Sequence, residues 1–246
     1  MQKEQLMLHT RIFTFNPIET NCVVAWLEGS PTCMVADPGM FSQDSLDQLL
    51  RFFAINGLMP DAVFLTHGHF DHTWGVKMLV EHFPGIPVYM NPADKAVLQS
   101  GPAVLPGREK VSSKRTDFPT VDIVDGQVIT SGGVQWKAIF TPGHTPGGVC
   151  WWCEEHSLLL SGDTLFAGSI GRTDLIGGDY DVLMKSLLEK VMLLPGETDV
   201  IPGHGQPTSI ARESASNPFL HPFNEPEGDS WWEQDGIPIK GNTRGA

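Results

Sequence analysis

The sequence predicts an α/β protein in which two β-sheets stack face to face and helices cover their outer sides. Three observations carry that expectation. Strand-like runs give way to helix-like runs twice along the chain, once on each side of a proline-, glycine- and base-containing loop from Gly101 to about Pro119. The 246 residues are enough to bury a full core, and no linker is long enough to separate two units. Histidines and aspartates also recur beside glycines where strands end, which is the edge at which a layered fold gathers residues distant in sequence. One domain over residues 1–246 is therefore expected, with 217–246 as a C-terminal extension packed on it.

The elements follow in order. "QLMLHTRIFTF", "TNCVVAWLE" and "TCMVADPG" are rich in β-branched and aromatic residues and broken by turn formers, so they read as three strands. "SQDSLDQLLRFFAING" sets Leu46, Leu49, Leu50 and Phe53 at helical spacing, with Gly57 suited to the C-cap. "DAVFLT" is a short buried strand, "HTWGVKMLVEHFPG" a helix, and "IPVYM" with "PADKAVLQS" repeats the alternation. After the loop come the strands "TVDIVDG", "QVIT", "VQWKAIFT", "GVCWWC" and "SLLLSGD". The helix "DYDVLMKSLLEKVMLL", the strand "TDVIP" and a helix near "TSIARESAS" complete the pattern.

Composition excludes several classes of function. A net charge of −13, from 16 basic against 29 acidic residues, disfavours nucleic acid and anionic membrane surfaces as partners. No apolar run approaches the roughly 18 residues needed to span a bilayer. The N-terminal "MQKEQLMLHTRIFTF" has no continuous apolar segment of the signal-peptide kind. Four cysteines are too few for a disulfide-built fold of this length. In "CWWC", Cys150 and Cys153 lie three apart on an expected strand, so they point to opposite faces and suit neither one metal nor a disulfide. Packed thiols and a cytoplasmic setting fit best. The acidic tail with Phe223, Trp231 and Trp232 reads as an extension lying against the body, ahead of a substrate wall or a subunit contact. Oligomeric state has no signature in the residues.

The chemistry is concentrated in "LTHGHFDHTWG", which packs His67, His69, Asp71 and His72 into six positions. His67 and His69 are two apart, so in an extended segment both side chains point the same way and can hold one metal. Asp71 and His72 sit where the chain turns into a helix and are available to a second ion. His144 in "TPGHTPGG", Asp163 in "LLLSGDTLF" and His204 in "IPGHGQP" each follow a strand in the same kind of setting. Imidazole with carboxylate suits zinc, iron or manganese. Seven ligands for two ions leave coordination positions open, as a catalytic site requires. His9, His82, His156 and His221 lie outside the pattern and read as ordinary polar groups.

"THGHFDH", "PGHTPG", "SGDTLF" and "PGHG", in that order over residues 6 to about 210, resemble the metallo-β-lactamase superfamily. Within it the chain is similar to the short glyoxalase II-related hydrolases of bacteria, through "GDTLFAGSIGRTDLIGGD" and the "PGHG" ending. The resemblance implies a four-layer αβ/βα sandwich with a dinuclear metal centre at one edge. By position, His67, His69 and His144 would hold one divalent ion, zinc ahead of iron or manganese. Asp71, His72 and His204 would hold the other, with Asp163 bridging. Asp71 would also have a catalytic role, orienting a hydroxide between the ions that attacks a thioester or related small acyl substrate.

True glyoxalase II has a C-terminal helical domain whose basic residues hold glutathione, and the stretch after His204 departs from that pattern. The residues after His204 include only Arg212, Lys240 and Arg244 as basic groups, against six acidic ones. Arg172 stands where those enzymes place a lysine near glutathione, but Thr173 and Asp174 follow instead of an aromatic residue. Arg172 can bind a substrate carboxylate or form a structural salt bridge. Arg108, Lys110, Lys114 and Arg115 read as a solvated basic face. Two other readings stand beside the hydrolase. Persulfide dioxygenases, which the chain also resembles, use one iron at the equivalents of His67, His144 and Asp163; a non-enzymatic metal-binding module ranks last, because all seven positions are filled. Replacing Asp163 with Ala is expected to abolish activity and lower metal content together, and full activity in that variant would remove the bridging assignment.

Overall fold

Along the strand Asn21–Leu27, Cys22 and Val24 face one hydrophobic core while Val23 and Ala25 face another. A strand buried on both sides belongs to a sheet covered on both faces, and the computed structural model, which describes residues 6–100 and 116–220, has two such sheets. The first contains β1 (Leu8–Thr14), β2 (Asn21–Leu27), β3 (Thr32–Ala36), β4 (Met59–Phe64), β5 (Val88–Met90) and β6 (Val121–Asp122), side by side in that order. Its first three strands are antiparallel, and those from β3 to β6 are parallel.

The second half supplies β7 (Val128–Ser131), β8 (Val134–Phe140), β9 (Val149–Cys153) and β10 (Leu158–Gly162), then a small hairpin of β11 (Leu165–Phe166) and β12 (Ser169–Ile170). With β13 (Asp199–Pro202) and β14 (Thr208–Ser209) they form a second sheet in the order β14-β13-β10-β9-β8-β7. Between the sheets lies a core centred on Phe64, Trp136 and Trp151, with Phe64 stacked on Trp151 at 4.2 Å between ring centroids. On the far side of the first sheet pack the helices α1 (Gln43–Asn56), α3 (Val76–His82) and α4 (Lys95–Gln99), the single turn α2 (Phe70–Thr73) leading into α3. The outer side of the second sheet carries α5 (Tyr180–Glu189) and α6 (Ile210–Ser216). Helices, sheet, sheet and helices make the expected four layers.

The helices form for legible reasons. Ser42 caps α1 by accepting from Ser45 N, the expected apolar face of Leu46, Leu49 and Phe53 is buried, and Gly57 closes the helix in the left-handed conformation. Asp179 and Ser209 cap α5 and α6 in the same way.

Four details differ from the sequence expectation. "HTWGVKMLVEHFPG" is two short helices and not one, because Gly75 N donates to Pro38 O at 2.7 Å, and a Cβ there would lie 2.4 Å from the same oxygen. "DYDVLMKSLLEKVMLL" leaves the α-helix after Glu189, where Lys190 Nζ donates to Phe140 O and to Asp125, and continues as a 3₁₀ turn over Val191–Leu193. "TVDIVDG" contributes only β6, which pairs parallel with β5 and so completes the first sheet from the second half. The β11–β12 hairpin was not foreseen at all.

The basic residues Arg108, Lys110, Lys114 and Arg115 lie outside the described residues, as do His221, Phe223, Trp231 and Trp232. Asn217 and Leu220, at the start of the expected extension, are buried, Leu220 beside α5 and α6. Among the described residues no helix is long and apolar enough to cross a membrane.

The "CWWC" alternation is observed: Cys150 faces the helices and Cys153 the inter-sheet core. All four cysteines are free and buried. Burial pushes the Cys33 thiol up to about 12, Cys150 and Cys153 to about 11, and Cys22 higher still. Since the thiolate is the reactive form, a thiol reagent at pH 8 is expected to modify none of them in the native protein and all four after denaturation. Rapid reaction of one thiol in the native state would contradict this packing.

Candidate metal centre

Four chain segments deliver the site. The loop after β4 runs through Thr66, His67 and Gly68 to His69, which stands at the N-cap of α2 with Asp71 and His72 in its single turn. His144 follows β8, Asp163 follows β10 and His204 follows β13. These strand ends lie on one edge because β10 and β13 run parallel and the two sheets are stacked.

The seven residues come together as the spacing predicts. Ligand atoms of His67, His69 and His144 lie within 4.8 Å of one another, as do those of Asp71, His72 and His204, and those of His67, His72 and Asp163. His69 Nδ1 is 3.0 Å from both His67 Nε2 and His144 Nε2. His204 Nε2 is 3.3 Å from His72 Nε2 and 3.3 Å from Asp71 Oδ2. The Asp163 carboxylate sits between the sets, 3.4 Å from His72 Nε2, 3.4 Å from His144 Nε2 and 3.6 Å from His204 Nε2. Only a glycine fits opposite it, since a Cβ on Gly203 would fall 2.1 Å from Asp163 Oδ1.

The far side of each ring fixes its tautomer. His72 Nδ1 donates to Asp37 Oδ2 (2.9 Å), His144 Nδ1 to Arg172 O (2.7 Å) and His204 Nδ1 to Ile18 O (3.0 Å). His67 Nδ1 donates to Thr66 Oγ1 (3.0 Å), whose hydroxyl donates in turn to Asp37 Oδ2 (2.6 Å). All four rings therefore turn Nε2 toward the centre, and it is a bare acceptor wherever the ring is neutral. Lone pairs this close repel unless a cation lies among them. Asp163 Oδ1 is likewise buried and accepts no hydrogen bond. A shared cation would satisfy both, so the donor set fits a metal.

Electrostatics separate the two ends. Burial, together with the neighbouring rings of His72, His144 and others, holds His67 well below the ordinary imidazole value. Burial and His144 bring His69 down to about 4. These rings are neutral at physiological pH, the ligating form. Burial would lower His72 as well, but Asp71, Asp163 and Asp37 outweigh it and raise it well above the ordinary value. Burial would raise Asp71 and Asp163, and His72 above all draws both down, so both are carboxylates.

Several supporting residues carried no recognised signal in the sequence. Asp37 also accepts from Thr66 N, and its place in "ADPG" (strand end, acid, glycine) repeats the pattern that marked the ligands. Asp94 is fully buried and accepts from Gly68 N, Thr145 Oγ1 and Gly147 N, tying α4 to two ligand loops. Asn16 donates to Asp71 O, and Thr20 Oγ1 donates to Asp71 Oδ2 at 2.9 Å. Asn21 grips the backbone on both sides of His204, donating from Nδ2 to Pro202 O and Gly205 O. Arg172 reaches the centre through its backbone carbonyl, while its exposed guanidinium holds Asp174 in a paired contact at 2.7 Å.

A layered αβ/βα fold with a histidine–aspartate cluster on one edge defines a class, and residues 16–204 match the metallo-β-lactamase superfamily model. The chain belongs to the metallo-β-lactamase superfamily. A probable metallo-hydrolase of Bacillus subtilis, YqgX, is 36% identical over 213 residues, covering 85% of this chain and 95% of that relative. The hydroxyacylglutathione hydrolase GloC of Haemophilus influenzae is 30% identical, covering 87% of this chain and 99% of its own. Among solved structures, the B3 metallo-β-lactamase BLEG-1 superposes with a TM-score of 0.76 at 33% identity, covering 86% of this chain and 99% of the other. TTHA1623 in a di-iron-bound form gives 0.71 at 34%, covering 85% and 100%. ETHE1 from Myxococcus xanthus gives 0.69 at 24%, covering 89% and 92%, a likeness of fold alone.

Asp37→Asn removes the anionic acceptor behind His72 and His67 while keeping the side-chain shape. It is expected to weaken metal affinity about 10- to 100-fold, measured by chelator competition. Unchanged affinity would show that Asp37 does not set those rings.

Proposed function

We propose that this chain is a dinuclear metal hydrolase that cleaves a thioester or related acyl compound, close in chemistry to hydroxyacylglutathione hydrolases. The observation that carries the reading is the pair of donor sets sharing Asp163. His67, His69 and His144 would hold one ion and Asp71, His72 and His204 the other, with zinc first and iron or manganese as alternatives. Residues so placed would hold two ions whose chemistry would lower a bound water's pKa from about 15.7 toward neutrality and polarise an acyl carbonyl.

The chain's own residues do the rest. Thr20 and Asn16 fix Asp71 by its Oδ2 and its backbone, so that the carboxylate can orient the attacking water. The imidazole N–H groups of His67, His72, His144 and His204 are committed to acceptors behind them. With Nε2 on the ions, those rings would be poor sources of a proton for a leaving group. A thiol of pKa about 8.5 leaves as thiolate without one, whereas an amine leaving from an amide needs a proton. That difference favours thioesters. Arg172 is proposed to take a substrate carboxylate by exchanging Asp174 for it. We infer a cytoplasmic setting from the four unpaired, buried thiols.

A mononuclear iron dioxygenase has weaker support, since the set Asp71, His72 and His204 is complete. Metal content measured by elemental mass spectrometry, on protein purified without added metal or chelator, is expected to be about two ions per chain. Lactoylglutathione heads the thioesters to be assayed next. About one iron per chain, with oxygen uptake on a persulfide, would replace the hydrolase with the dioxygenase.

A further inference from the structure

Beside His69 opens a cleft of about 430 Å³ that the metal chemistry leaves unused. Its walls come from three places. Phe70 follows His69 directly, Pro146 lies two residues after His144, and Ala93, Ala96 and Val97 come from the segment that starts α4. Leu175 and Ile176 form the rim, 39% and 96% exposed, so apolar surface faces water at the mouth of the site. Apart from His69 and the hydroxyl of Ser100, the lining side chains among the described residues are apolar, and none of these is charged. Asp94, through Gly68 N, Thr145 Oγ1 and Gly147 N, fixes this wall to the loops that carry His67, His69 and His144. The cleft is thus built as part of the centre, within the size range of small-molecule sites.

An uncharged cleft discriminates between the two halves of a thioester. Thiol carriers such as glutathione bear carboxylates and an ammonium, which would lose hydration there without gaining a partner. An alkyl chain gains by the same burial. We propose that the cleft between Phe70, Val97, Pro146 and Ile176 is an acyl pocket, so that the preferred substrate is a thioester of an apolar, medium-length acyl chain. This rests on the thioester reading above. It leaves the carrier outside the cleft.

The test uses the metal-loaded enzyme and acyl-glutathiones from acetyl to octanoyl, with lactoylglutathione alongside. Each added methylene is expected to raise kcat/KM about fourfold until the cleft is full. Ile176→Ser, at a position too exposed to endanger the fold, should lower the octanoyl-to-acetyl ratio about tenfold. Binding of 1-octanol, followed by calorimetry, provides a readout independent of turnover and should weaken in the same variant. Hydrolysis indifferent to chain length, or a preference for lactoyl, would overturn the acyl pocket and leave the thioesterase standing. If no thioester is cleaved while 1-octanol binds the wild type more tightly than the variant, the cleft keeps its apolar ligand and the thioesterase reading falls. Loss of both signals overturns both.

Discussion

Crowding of like groups is the constraint on which this molecule turns. Ring nitrogens at 3.0 to 3.3 Å from one another, more of them acceptors than the protons between them can satisfy, are unfavourable neighbours in a buried place. They are held by what lies behind them. The Asp37 carboxylate accepts a hydrogen bond from His72 Nδ1, and through Thr66 it anchors His67. Backbone carbonyls of Arg172 and Ile18 hold His144 and His204. Each outer acceptor is itself fixed by the fold, so the rings are oriented before any ion arrives. That preorganisation lets a cation bind without first rearranging the protein.

Both sheets hold the loop that carries the first histidines. Phe64 and Trp151 stack at the centre of the sandwich, and Trp151 Nε1 donates to Leu65 O one step before the ligand loop. Val149 N donates to Thr66 O, joining the second sheet to the other side of that loop. Large aromatic side chains thus fill the interior, and their polar handle and the neighbouring backbone set the height of the histidines.

Much of this was legible in the residues, and for identifiable reasons. Alternation in "NCVVA" and "CWWC" reports burial on both faces directly, since side chains on a strand have a period of two. His67, His144, Asp163 and His204 were legible because each joins a strand end to a glycine. The supporting groups were not. Asp94 in "NPADK" looks like any acid at the start of a helix, and its role exists only because the loops holding Gly68 and Gly147 return to it. The break at Gly75 is equally nonlocal, made by Pro38 approaching from another segment. Likewise β6 joins the first sheet by a pairing that no local pattern encodes.

The donors divide unevenly along the chain: four precede residue 73, and three come from the second half. His204 meets His72 across a separation of 132 residues. On the ribosome, that interval corresponds to roughly 7 to 26 s at about 5–20 residues per second. Until His144 is made, the nascent first half displays His67, His69, Asp71 and His72 with neither donor set complete, and Asp71 and His72 wait for His204 throughout the interval. β13 and the histidine that follows it decide when the centre closes, so completion of the full donor set belongs to the end of synthesis.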